Sequence, residues 1–155
     1  MRKILMLLLF SIIFSLISCT NSQAILLEPY ENAQTYVDIS SSELAAKMDS
    51  GSSFMLYISS ESCSSCAEFK IILDTVIQEK LVKIYKIEAG AGFITSNTMI
   101  PYSYTPSIAI IKDGKVVDLI DAVEQYSSFS TYEGFIKYYN KYILPPEKTN
   151  YNGKS

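Results

Sequence analysis

The chain of 155 residues has no histidine and no tryptophan, and only three cysteines. Without histidine there is no imidazole acid–base catalyst and no imidazole-ligated metal. Basic residues are also scarce: 13 Lys and Arg face 16 Asp and Glu, too few for a nucleic-acid surface. No internal repeat is visible. The longest apolar run, Ile4 to Ile17, falls short of the roughly 20 residues that cross a bilayer core.

That run nevertheless carries information. Arg2 and Lys3 precede it, and it closes in Leu16-Ile17-Ser18-Cys19 before polar Thr20-Asn21-Ser22-Gln23. Charged start, greasy middle and small residue near the end describe a secretory signal peptide. The closing tetrapeptide resembles the lipobox of bacterial lipoproteins, with Ile17 a less usual occupant of its position. The resemblance implies that Cys19 is lipidated, as with palmitate, and becomes the first mature residue. Two or more acyl chains together anchor a protein stably. The expected organisation is a signal peptide over 1–18, a lipidated start and tether over 19–35, one domain over 36–144 and a flexible tail over 145–155. Removing Arg2 and Lys3 leaves 11 cations against 16 anions, about −5. An ordinary signal peptide with a stray cysteine is the alternative.

Cysteine arithmetic then turns on the pair Cys63 and Cys66. Three cysteines are an awkward number for an exported chain; with Cys19 lipidated, no thiol is left over. A disulfide across so short a loop contributes little entropic stabilisation, which favours redox chemistry over a structural role. Half a zinc site is the competing reading of C-x-x-C, but zinc needs about four ligands and the chain does not supply them. No metal and no cofactor is expected.

The surrounding pattern is α/β. Tyr36 to Ile39 suggests a strand, and Ser40 and Glu43 have capping-box spacing for a helix through Leu44 and Met48 that stops at Gly51. Phe54 to Ile58 is continuously apolar, as in a strand buried on both faces. After Cys66, apolar residues at Phe69, Ile72, Leu73, Val76 and Ile77 share one helical face. Val82, Ile84 and Ile87 suggest a further strand. Gly90, Gly92 and Pro101 favour a loop over 89–105, with at most a short helix near Asn97. Ile108 to Ile111 and Val116 to Ile120 flank Asp113-Gly114, a tight-hairpin signal. Ser130 to Glu133 has capping-box spacing for a last helix whose apolar face is Tyr132, Phe135, Ile136, Tyr139, Tyr142 and Ile143. Pro145-Pro146 ends it. The predicted architecture is a central mixed β-sheet flanked by helices.

Strand, CxxC and helix, followed by Thr105-Pro106 and the Lys112-Asp113-Gly114-Lys115 hairpin, together resemble the thioredoxin superfamily from about Tyr36 to Ile143. The resemblance implies a thiol–disulfide oxidoreductase in which Cys63 attacks and Cys66 resolves. It implies a cis peptide at Pro106, which would pack on the cysteine pair, with Thr105 offering backbone groups to an extended substrate. Tyr104, with Tyr102, is a candidate border of the substrate groove, since loop residues favour function over core. The motif also departs from the family. Ser62 replaces the tryptophan of thioredoxins, Ser64-Ser65 replaces Gly-Pro, and Tyr57 stands where thioredoxins bury an Asp. Ser65 stands where oxidising relatives carry His, and nearby Glu61 would oppose a thiolate, so the direction of electron flow is not written in the motif. The sequence around Met55 to Cys66 is also similar to thioredoxin-like accessory proteins of bacteriocin production. The expected partners are protein or peptide thiols and disulfides, a membrane redox partner, and the membrane through Cys19. The expected location is the outer side of a bacterial cell membrane. The rival reading is a non-catalytic binding module with a structural Cys63–Cys66 bridge.

Overall fold

Phe54–Ser59 is buried at every position because it runs through the middle of a sheet covered on both faces. In the computed structural model, which describes residues 23–90 and 100–145, this strand is β2 of five. The elements follow in the order β1 (Val37–Asp38), α1 (Ser41–Asp49), β2 (Phe54–Ser59), α2 (Ser64–Lys80) and β3 (Tyr85–Glu88). Then come β4 (Ser107–Lys112), β5 (Lys115–Asp121), α3 (Tyr126–Ser130) and α4 (Tyr132–Tyr142). The sheet order is β1-β3-β2-β4-β5. β3 lies parallel to β1 and β2, whereas β4 runs antiparallel to both β2 and β5.

Alternation along each strand divides the core in two. Met55, Tyr57, Ile108 and Ile110 face α2 and α4, packing on Phe69, Leu73, Phe135 and Tyr139. Leu56, Ile58, Ala109 and Ile111 face the other way, onto Leu44 and Met48 of α1. The local signals act as expected at α1. Ser40 Oγ accepts from Glu43 N–H and Glu43 Oε2 accepts from Ser40 N–H, and Gly51 takes φ +73° just past the helix. Asp113 and Gly114, at φ +51° and +73°, make the tight turn between β4 and β5.

Three expectations need correction. The stretch expected to be a tether is largely part of the fold: Ile25, Leu27 and Ala33 are buried in the larger core cluster. Its backbone is paired, with Ile25 N–H donating to Tyr142 O, Tyr30 N–H to Leu81 O and Lys83 N–H to Glu28 O. Leu26, between the two buried residues, is 51% exposed, so the apolar patch alternates like a strand edge. The last helix begins one residue later than its capping signal suggests. Thr131 is the N-cap, and its Oγ1 accepts from Gly134 N–H. Ser130 instead closes α3, a five-residue helix too short to leave a periodic signature. Tyr138 joins the buried face of α4, while Tyr132 and Ile136 are only partly buried. The signal peptide, Cys19, the segment 91–99 with its possible helix near Asn97, and the tail from 146 onwards lie outside the described residues.

Candidate active site

A strand buried on both faces must hand the chain to the surface at its end, and β2 does so at the turn that carries the cysteines. Cys63 is the N-cap of the 17-residue α2, and its Sγ accepts a 3.1 Å hydrogen bond from Cys66 N–H. Cys66, one turn in, is 3% exposed, whereas Cys63 is only half-buried. The two are joined as a disulfide with Cα atoms 5.2 Å apart. Reduced, Cys63 would place negative charge where α2's unpaired N–H groups and macrodipole favour it.

The facing wall comes from the loop before β4. Thr105-Pro106 is a cis peptide, and Thr105 O lies 3.3 Å from Cys63 Sγ. Pro106 is buried, and its carbonyl accepts from Ala122 N–H, which ties this wall to the end of β5. Tyr104 is 54% exposed at the rim, with its carbonyl accepting from Ser107 Oγ. Tyr102 is half-buried against the smaller core cluster. The structure thus brings Cys63 into contact with both Cys66 and Thr105, with the buried Pro106 next in the chain after Thr105 and the exposed Tyr104 just before it. Among the described residues, no cluster of His, Cys, Asp and Glu could hold a metal ion.

No protein-family model matches the chain, and no curated protein matches it by sequence. Solved structures do match. Thioredoxin f2 of Chlamydomonas reinhardtii superposes with a TM-score of 0.55 at 10% identity, covering 68% of this chain and 94% of that one. The short form of spinach chloroplast thioredoxin f superposes at 0.52 with 13% identity, covering 70% and 93%. The chain has the thioredoxin fold.

Within the thioredoxin fold, one residue of the site escaped the sequence reading of its role. Tyr57 is 1% exposed, and its hydroxyl donates to Cys66 O at 3.2 Å, directly beneath the buried cysteine. Burial pushes its pKa up to about 12, although a hydrogen bond with Ser59 and the charge of Lys86 pull the other way. It is therefore a neutral donor across the physiological range. The available signal was a hydroxyl in an otherwise apolar, doubly buried strand, which must find a partner. The turn's other side is held by Glu88, whose Oε1 accepts from Glu61 N–H. Glu88 shares Lys86 with Asp38, the ammonium lying 3.0 and 2.8 Å from the two carboxylates. Burial opposes the charge on Lys86, but these two hydrogen bonds outweigh it and raise its pKa.

Proposed function

We propose that this chain is a thiol–disulfide oxidoreductase acting on protein or peptide disulfides, held outside the cytoplasmic membrane by lipid on Cys19. The observation that carries the redox reading is the asymmetry of the pair: an accessible Cys63 at a helix N-terminus, bonded to a buried Cys66. In the reducing direction, the Cys63 thiolate attacks one sulfur of a substrate disulfide, forming a mixed disulfide and expelling the other sulfur as a thiolate. Cys66, deprotonated, then attacks Cys63 Sγ and expels the second substrate thiolate. The substrate gains two electrons and the enzyme pair is left oxidised. The oxidising direction is the reverse. Thr105 supplies the backbone edge on which an extended substrate would lie, and Tyr104 borders it.

The anchor rests on the signal-like segment and the Leu16-to-Cys19 tetrapeptide. An exported location also suits a standing disulfide. Two variants test the whole reading. Cys66→Ser is expected to accumulate mixed disulfides that a small dithiol releases, whereas Cys63→Ser accumulates none. Cys19→Ser is expected to leave the membrane fraction. A wild-type disulfide that does not react with mild dithiols, together with no adduct in Cys66→Ser, would replace the enzyme with the binding-module reading.

A further inference from the structure

A short hydrogen-bonded chain links the buried tyrosine to both cysteines. Tyr57 donates to the Cys66 carbonyl at 3.2 Å. The same peptide unit ends in Ala67 N–H, which donates to the Cys63 carbonyl at 3.3 Å. Cys66 N–H, in turn, donates to Cys63 Sγ at 3.1 Å and to Cys63 O at 3.2 Å. Donation into a carbonyl polarises the peptide and strengthens the bond made by its N–H. The hydroxyl cannot swing away, because the ring is wedged between Tyr36 and Phe69, each with centroids 5.6 Å distant.

We infer that Tyr57 is a positioning residue for the cysteine pair, holding the first turn of α2 so that Cys66 stays within reach of Cys63 when the disulfide is open. This rests on the redox reading of the pair. The consequence is thermodynamic. With the turn ordered in the dithiol, closing the disulfide costs little further chain entropy, and the effective concentration of one thiol at the other is high. Removing the hydroxyl lets the open turn loosen while the closed one remains held by its covalent bond.

The test is equilibration of the full-length chain with a glutathione buffer. Tyr57→Phe keeps the ring and loses the donor. It is expected to lower the equilibrium constant for disulfide formation about fivefold, the ratio typical of one hydrogen bond, which for a two-electron couple is about 20 mV. Mixed disulfides formed at Cys63 should persist longer by a similar factor. Tyr139→Phe, a buried tyrosine of α4, should change neither. A purely structural role would weaken the oxidised and reduced forms equally, so an unchanged equilibrium constant in a cooperatively folded Tyr57→Phe overturns the inference and leaves the redox reading intact. A wild-type pair that does not exchange overturns both. A third readout needs no variant: in the wild type the Ala67 amide should resist hydrogen exchange in both redox states, and its loss of protection on reduction would also overturn the inference.

Discussion

Twelve tyrosines take the polar-aromatic positions of a chain without tryptophan, and four of them, Tyr57, Tyr138, Tyr139 and Tyr142, are buried in the larger core. Tyr57 finds the Cys66 carbonyl and Tyr138 finds Asp118 Oδ2 at 2.8 Å. Burial, the largest cause in each case, pushes Tyr57 and Tyr139 up to about 12, and pushes Tyr138 up as well, with Asp118 adding to the rise. A phenol whose folded pKa lies above its unfolded value near 10 contributes stability that is complete below pH 10. That contribution is lost as pH climbs through about 12. The protein should therefore weaken steadily above pH 10, and Tyr139→Phe should flatten that decline. Denaturant midpoints measured against pH, with phenolate absorbance followed in parallel, would check it. A midpoint that falls equally in Tyr139→Phe would rule out this buried phenol as a cause.

At the scale of elements, the tightest constraint is where α3 meets α4. A Cβ on Gly134 would stand 1.9 Å from the Ser127 carbonyl oxygen and 2.9 Å from Thr131 Oγ1, the atom that caps α4. The first of these neighbours is backbone and cannot turn aside. Gly134→Ala is expected to cost about 1–3 kcal/mol, as overpacking does, visible as a lower denaturant midpoint with disulfide exchange at Cys63 unchanged. An unaltered midpoint would mean the helices separate freely. The same contrast between local and distant causes explains what could be read in advance. Ser40 with Glu43, Asp113-Gly114 and the Cys63–Cys66 pair each act within a few residues, so their spacing alone declares them. Ile25 and Leu27 pack because Tyr142, Leu81 and Lys83 offer backbone partners far along the chain, which no local pattern encodes. The approach of Tyr57 to Cys66 likewise exists only once α2 folds back over β2.

Taken whole, the molecule has two poles. The cysteines follow the C-terminal end of β2, while Lys112, at the opposite end of the sheet beside Ile111 and Phe54, reaches Ala24 O. Glu28 and Tyr30 pair with Leu81 and Lys83, just beyond the end of α2 that lies farthest from Cys63. The described chain therefore enters the fold at the pole away from the cysteine pair, about 20 Å off by the length of β2 alone. Only Thr20 to Ala24 would separate a lipidated Cys19 from Ile25, a reach of at most about 22 Å fully extended. If Cys19 is lipidated as proposed, a domain so closely held would turn its entry point towards the headgroups and present Cys63 outward to soluble peptides. The lipidated chain on vesicles and a Cys19→Ser chain free in solution should then exchange with a soluble peptide disulfide at similar rates. A tenfold slower reaction on the vesicle would show that the redox face turns towards the membrane, and the orientation argued from the Ala24 contact would fail.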